Sequence, residues 1–173
     1  MVVASQGSLV AWCRLSRRQR QAIACPSVGV PYVQQVITAH GVTLPADFVA
    51  FYSKANGTPE LYPEGVDENF CSFLPVEALQ TEVQEWLVVT AKAATRQQAR
   101  VTVFISFLHA CWEYGVLTED QGEGYRIGIL PGANEFVVLT TSLATFLQWY
   151  VEDADVLYDS SHPFTELGRA AQP

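Results

Sequence analysis

Three residues that can bind a metal or take part in catalysis lie at alternate positions, His109, Cys111 and Glu113. Alternate residues of a strand share one face, so this spacing can present three metal ligands, or a thiol nucleophile with a histidine base. Zinc deaminases combine a His-x-Glu with a Pro-Cys-x-x-Cys, and the second motif does not occur here. Nucleophile-elbow and phosphate-loop motifs are also absent from the sequence. We therefore expect no enzyme, no catalytic residue, no metal site and no cofactor, with a metal- or thiol-dependent enzyme as the alternative.

The acidic residues offer a different kind of site. The chain holds 18 acidic and 10 basic residues, which gives a formal net charge of −8. An acidic surface attracts basic partners and repels the phosphates of nucleic acids. Two segments without hydrophobic period supply the candidate partner-binding residues Glu60, Tyr62, Glu64, Asp67, Glu68, Glu119, Asp120 and Glu123. They predict a basic protein partner and no direct contact with nucleic acid; two solvated loops are the alternative.

Two aromatic residues, Trp112 and Tyr114, complete the candidate partner-binding set. Together with Tyr125 they lie at alternate positions of predicted strands. Aromatic side chains at this spacing belong to the core in most proteins, whereas solvent-facing ones anchor protein interfaces. The sequence leaves both interpretations open.

The cysteines and the N-terminal composition indicate a cytoplasmic protein. The four cysteines are widely spaced, and a chain of 173 residues can bury a core without disulfides, so we expect free, buried thiols. No apolar run approaches the roughly 18–20 residues of a membrane-spanning helix, so we expect no membrane association. Residues 1–30 hold four arginines and no acid. They predict a poorly ordered basic extension, with an organellar transit peptide as the alternative.

Helices are predicted to follow this extension. The first has its apolar residues at helical spacing, at Tyr32, Val33, Val36 and Ile37. The second has an apolar stripe and is expected to end at Asn56-Gly57; the stripe is Phe48, Phe51, Tyr52 and Ala55. A short strand is expected at Phe70–Leu74. Pro75 then opens a predicted third helix with one apolar side, made of Leu79, Val83, Trp86 and Leu87, and Ala91–Ala99 is helix-favouring by composition.

In the second half of the chain, apolar residues recur at every second position, which is the period of a strand. One predicted face contains Val101, Val103, Ile105 and Phe107, and about four strands are expected to form an antiparallel meander. Thr141 or Ser142 caps a last helix, with Phe146 and Leu147 inward. The predicted fold is α+β, with helices packed on one antiparallel sheet of about four to six strands. The domain spans residues 31–155, between the extension 1–30 and a tail 156–173.

Three motifs in this order resemble the SUKH (Smi/Knr-like) superfamily. Leu44-Pro45-Ala-Asp47-Phe48, then Phe51-Tyr52 and Asn56-Gly57, is similar to a family helix with the pattern LP-x-[DE]-[aromatic]-x-x-[aromatic] that ends in Asn-Gly. Phe73-Leu74-Pro75-Val76-Glu77-Ala-Leu79 and Ser142-Leu-Ala-Thr-Phe146-Leu147 resemble the strand-to-helix step and the closing helix. The chain departs from the pattern at Val33-Gln-Gln-Val36, where an acid is usual, and Thr81–Arg100 resembles an insertion.

The resemblance implies a non-enzymatic binding module. Bacterial members of the superfamily include immunity proteins that neutralise a toxin, often a nuclease, and fungal relatives regulate cell-wall synthesis through protein contacts. We therefore expect an immunity protein that binds a basic toxin domain through acidic loops, with a protein adaptor or regulator as the alternative. The sequence gives no indication of the oligomeric state.

Overall fold

The computed structural model describes residues 27–58, 69–108, 111–119 and 124–158. In these ranges three α-helices pack against a six-stranded mixed sheet, which confirms the predicted α+β class. The predicted basic extension, up to residue 26, and the predicted tail from residue 159 lie outside the described residues.

Among the described residues, two α-helices precede the six strands and one α-helix follows them. The helices are α1 (Val30–His40), α2 (Ala46–Tyr52) and α3 (Leu143–Glu152). The strands are β1 (Cys71–Phe73), β2 (Thr81–Val89), β3 (Ala94–Phe107), β4 (Trp112–Thr118), β5 (Tyr125–Leu130) and β6 (Glu135–Thr140). Short 3-10 helices follow β1 and α3, at Val76–Ala78 and Asp155–Leu157. Ser142 caps α3 as predicted, since its hydroxyl accepts from the N–H of Thr145 at 3.2 Å.

Five of the six strands close into a ring. β2 to β6 pair with their neighbours in chain order, all antiparallel, and β6 then returns to β2 through a parallel pairing at Leu87–Val89. β1 pairs with the last residues of β3 and lies outside this ring. The sheet is mixed rather than wholly antiparallel for a geometric reason: five strands that alternate in direction cannot close a ring without one parallel pair.

The predicted third helix is wrong, because its residues form β2 and the start of β3. The two strands pair antiparallel along the whole of β2. Thr90 closes their turn, with its N–H donating to the carbonyl of Ala93 at 2.8 Å. The apolar spacing of β2 fits a helix or a strand over so short a length. Cross-strand pairing and β-branched residues such as Val83 and Val88 decide the outcome against the helix propensity of Ala91–Ala99.

β3 does not present one continuous apolar face. A β-bulge lies between Val103 and Ile105, where Phe104 is the extra residue. Phe104 and Ile105 are both buried under the helices, whereas Val101 belongs to a separate core on the other side of the strand. The prediction that Val101, Val103, Ile105 and Phe107 share a face is therefore wrong, because one inserted residue reverses the alternation that follows it.

The ring of strands separates two hydrophobic cores. The inner core fills the ring and consists of Trp86, Val88, Ala99, Val101, Leu117, Phe136 and Val138. The outer core lies between the ring and the helices. It buries Phe48, Phe51, Tyr52 and Leu147, as the helical spacing predicted. It also includes Leu157, which is 3% exposed and lies beyond the predicted domain boundary at residue 155.

Asn56 joins the end of α2 to the segment that follows β1. Its Oδ1 accepts from the N–H of Val76 at 2.9 Å, and its Nδ2 donates to the two carboxylate oxygens of Glu77 at 3.0 and 3.2 Å. Gly57 follows with φ +82°, and a Cβ at this position would lie 2.7 Å from a backbone carbonyl oxygen. Because α2 ends at Tyr52, the Asn-Gly pair makes a tertiary contact and does not terminate the helix as predicted.

Glu77 also receives a hydrogen bond from α1, since the hydroxyl of Tyr32 donates to its Oε1 at 2.7 Å. Partial burial raises the pKa of Glu77, but the hydrogen bonds from Tyr32 and Asn56 lower it, and the resulting pKa lies below its ordinary value. The ionised carboxylate therefore connects α1, α2 and the 3-10 turn.

We expect Asn56→Ala to lower the free energy of unfolding by about 2 kcal/mol, because the buried N–H of Val76 loses its acceptor. Urea denaturation followed by tryptophan fluorescence measures the change. Gln35→Ala is the control, since this amide is exposed on α1 and should change stability by less than about 0.5 kcal/mol. Equal stability of the two variants would contradict the role given to Asn56.

Within the described residues, no helix combines the length and the apolar character that crossing a membrane requires.

Candidate functional site

Most of the predicted acidic segments fall outside the described residues. This holds for the candidates Glu60, Tyr62, Glu64, Asp67, Glu68, Asp120 and Glu123, and also for His109. The structure does place the remaining candidates Trp112, Tyr114, Glu119, Cys111 and Glu113.

Tyr114 is a core residue that supports Trp112. Tyr114 is 1% exposed, and its hydroxyl donates to the carbonyl of Leu157 at 2.5 Å. The same hydroxyl accepts from the indole N–H of Trp112 at 3.2 Å. Trp112 is partly exposed and stacks on Phe107 with ring centroids 4.6 Å apart. We therefore assign Tyr114 to the core and keep Trp112 as the aromatic surface candidate.

Glu119 already has a basic partner within the chain. Its carboxylate accepts from Arg126 at 2.9 Å and from the side-chain amide of Gln97 at 3.3 Å. This ion pair offsets the charge of Glu119, so Glu119 contributes less to an acidic surface than the sequence indicated.

A groove of about 470 Å³ opens at one end of the strand ring, and we call it the acidic groove. It lies between β2, the start of β4 and the turn after β5. Its lining consists of Glu82, Gln84, Trp86, Val103, Cys111, Trp112, Glu113, Leu130 and residues 131–134. The groove thus brings together three candidates from the sequence, Glu113, Cys111 and Trp112, with residues of β2 that were not predicted as candidates.

Strand alternation directs two carboxylates toward the interior of the ring. Glu82 lies on the same face of β2 as Trp86, and Glu113 lies on the same face of β4 as Leu117. Trp86 and Leu117 both belong to the inner core. The apolar interior of the ring therefore ends in a pair of acidic side chains.

The electrostatic environment of the groove is negative. Partial burial raises the pKa of Glu113, and the negative charge of Glu82 raises it further. Gln84 donates its side-chain amide to Glu82 at 3.1 Å. In the part of the chain that the structure describes, no basic side chain forms an ion pair with either carboxylate.

Trp86 lines the floor of the acidic groove. Trp86 is 2% exposed, and its buried indole N–H has no hydrogen-bond partner among the described residues. Glu82 and Trp86 were not predicted as site residues, because their segment was expected to be a helix. The signal that could have found them is the alternation of Glu82, Gln84, Trp86 and Val88, which puts all four on one face of a strand.

The opposite end of the ring carries two basic residues, of which Arg126 is paired with Glu119. A pocket of about 330 Å³ opens there, lined by Val88, Thr90, Lys92, Ala93, Thr95, Gln97, Arg126, Val138 and Thr141. Lys92 and Arg126 lie at this end, whereas Glu82 and Glu113 lie at the other. A basic partner is therefore attracted to the end that carries the acidic groove.

Cys111 is exposed, whereas Cys71 is buried. The expectation of a buried thiol holds for Cys71 and is wrong for Cys111, because β4 begins only at the next residue. Among the described residues, no group of three His, Cys, Asp or Glu side chains is placed to hold a metal ion.

Comparisons with protein-family models, with curated proteins and with solved structures found no match to this chain.

Proposed function

We propose that this chain is a non-enzymatic protein-binding module, and that it acts in the cytoplasm as an immunity protein against a bacterial toxin with a basic surface. The observation that carries the proposal is the acidic groove. It combines Glu82 and Glu113, which have no basic partner among the described residues, with the partly exposed Trp112. Aromatic residues are enriched at the centres of protein interfaces, and acidic groups around them steer a basic partner toward the surface.

The charge of the chain fits the inhibition of a nuclease. Nucleases and other proteins that bind nucleic acids use Lys and Arg to neutralise phosphates. Acidic side chains on an inhibitor bind those same Lys and Arg residues and accelerate the encounter. A net charge of −8 supports this mode of association.

The resemblance to the SUKH superfamily supports the same role. Its first two motifs contact each other in the structure, because Asn56 of the first binds Glu77 of the second. The motif residues therefore belong to one structural unit rather than to unrelated segments. The resemblance transfers no catalytic residues.

Co-expression with the toxin encoded by a neighbouring gene tests the proposal. The chain should restore growth, and a five-fold variant with amides at Glu64, Asp67, Glu68, Glu119 and Asp120 should associate with the toxin more slowly. We expect the on-rate to fall by about ten-fold at low salt, and the difference to shrink at high salt. Stopped-flow mixing of the purified proteins measures these rates, and circular dichroism checks that the variant is folded.

Two outcomes would contradict this account. Failure of the parent chain to protect cells or to bind the toxin would remove the immunity role. An unchanged on-rate for the five-fold variant at low salt would remove the predicted loops as the steering surface.

The alternatives have separate signatures. A protein adaptor of the cell-wall-regulator type would bind a regulatory or biosynthetic protein of its own cell and would not protect against a toxin. A metal- or thiol-dependent enzyme would use His109, Cys111 and Glu113, and the last two line the same groove. Elemental analysis of the purified chain distinguishes the metal-dependent form of this alternative, because a stoichiometric metal ion would contradict a binding module without cofactors.

A further inference from the structure

Two independent features mark the acidic groove as a site for a particular chemical group. The first is the pair of carboxylates, Glu82 and Glu113, at the end of an apolar interior. Glu113 is partly buried, and burial disfavours its charged form unless a cation pairs with it, whereas Glu82 is exposed and adds a second negative charge nearby. The second is the indole N–H of Trp86, a buried donor without a partner among the described residues. A guanidinium has no acceptor to offer this donor, so Trp86 points to a carbonyl oxygen of a bound protein segment.

The surroundings favour a guanidinium group over a simple ammonium. A guanidinium is planar, carries five N–H donors and can bind two carboxylates while it stacks on an aromatic ring. The groove supplies the carboxylates of Glu82 and Glu113, and Trp112 lines its margin. An arginine side chain can therefore form more hydrogen bonds to these two carboxylates than a lysine side chain can.

The edge of β2 indicates that the arginine belongs to an extended protein segment. β6 pairs with β2 only from Leu87 onward, so no strand among the described residues pairs with that side of β2 from Thr81 to Trp86. The N–H of Leu87 points to this side, where it donates to the carbonyl of Asn134 at 2.8 Å. Because backbone groups alternate in direction along a strand, Val83 and Glu85 present their N–H and C=O groups to the same side.

An extended segment can add to such an edge through backbone hydrogen bonds. Every second side chain of the added segment would then face the groove, since side chains alternate along a strand. Val83, on this part of β2, is 50% exposed. A free small molecule with a guanidinium group would leave this edge unpaired.

We infer that the acidic groove binds an arginine side chain of the partner protein, with the guanidinium between Glu82 and Glu113 and an extended backbone alongside β2. This inference rests on the proposed function, and it names the surface through which that function operates.

Fluorescence anisotropy with labelled peptides and the full chain tests the inference. The probe is a seven-residue peptide of alternating Thr and Arg, and its control replaces each arginine by citrulline, which has the same shape and no charge. The arginine peptide should bind at least ten-fold more tightly than the citrulline peptide. The double variant Glu82→Gln, Glu113→Gln should bind the arginine peptide at least ten-fold more weakly than the parent chain.

A control variant distinguishes a local effect at the acidic groove from an effect of the net charge of the chain. Glu152→Gln, Asp155→Asn changes the net charge by the same amount, at two exposed residues that neither line the groove nor belong to β2. It should bind the arginine peptide within about two-fold of the parent chain. Thermal melts of both double variants should match that of the parent, and the single variant Glu82→Gln, at an exposed residue, provides the same comparison if the double variant unfolds early.

Equal binding of the arginine and citrulline peptides would overturn the inference, and so would equal effects of the two double variants. The toxin protection assay distinguishes failure of the arginine site from failure of the proposed immunity role. If the Glu82, Glu113 variant protects cells and binds the toxin as the parent does, the arginine site is wrong and the immunity role stands. If the arginine peptide binds in the predicted manner but the parent chain gives no protection, the site stands and the immunity role is wrong.

Discussion

Replacing Phe48 by alanine should lower the free energy of unfolding by about 3–5 kcal/mol, because the ring is fully buried and its neighbours cannot close the space it leaves. Phe48 is 0% exposed. It packs edge-on against Phe104 and Tyr125, with ring centroids 5.1 and 5.7 Å apart. These contacts attach α2 to β3 and β5. Urea denaturation, analysed at constant m-value, measures the loss.

Phe70→Ala is the matched control, since it deletes the same side chain at a position that is 55% exposed. The control should change the free energy of unfolding by less than about 0.5 kcal/mol. A loss below about 1 kcal/mol for Phe48→Ala would show that the ring does not carry the packing of α2 that the structure assigns to it.

The packing of α2 was predictable from the sequence because the helical period is complete over a short distance. Phe48, Phe51 and Tyr52 are spaced for one helix face, and no strand pattern competes with them. The burial of Leu147 followed from the same argument for α3. These predictions need only local information, since the spacing itself defines the face that must be covered.

The β2–β3 hairpin was not predictable in the same way. Leu79, Val83, Trp86 and Leu87 fit a helix, and residues 91–99 are rich in helix-favouring residues. The energy that decides between the two structures comes from pairing with β3 and with β6, and β6 is distant in sequence from β2. The bulge at Phe104 was likewise not predictable, because no residue type in this part of β3 is typical of a bulge.

Only part of the candidate site could be predicted from the sequence, for the same reason. Glu113 and Cys111 were recognised because their residue types can do chemistry and they lie at alternate positions. Glu82 became a neighbour of Glu113 only when β2 and β4 were placed in one ring, and the groove also needs the turn at residues 131–134. A site assembled from three separate segments depends on the topology. The topology predicted for this region was wrong, because β2 was expected to be a helix.

The groove depends in turn on how closely β5 approaches β6. A Cβ at Gly128 would lie 2.3 Å from the carbonyl oxygen of Val137 and 2.6 Å from the ring of Phe136. The register between β5 and β6 shifts at this position, between Ile127 and Gly128. The absence of a side chain at Gly128 therefore allows the backbones of β5 and β6 and the phenyl ring of Phe136 to pack closely where the register shifts.

Gly128→Ala should consequently destabilise the fold by about 3 kcal/mol or more, at the upper end of what overpacking costs, because the obstacle is a backbone carbonyl and not a flexible side chain. Thermal and urea denaturation measure the loss of stability. We also expect amide exchange to accelerate in β5 and β6 before the rest of the sheet, since relief of the clash requires these two strands to separate.

Gly132→Ala is the control for Gly128→Ala, because it makes the same substitution in the turn between these strands and its Cβ would meet no atom within 4 Å. It should change stability by less than about 0.5 kcal/mol. Gly132 also lines the acidic groove, so this variant keeps the ring intact while it adds a methyl group to the proposed site. Similar stability of the two variants would mean that β5 and β6 do not approach closely at Gly128. The closed ring, and with it the position of Leu130 and the turn beside Glu82 and Glu113, would then have to be revised.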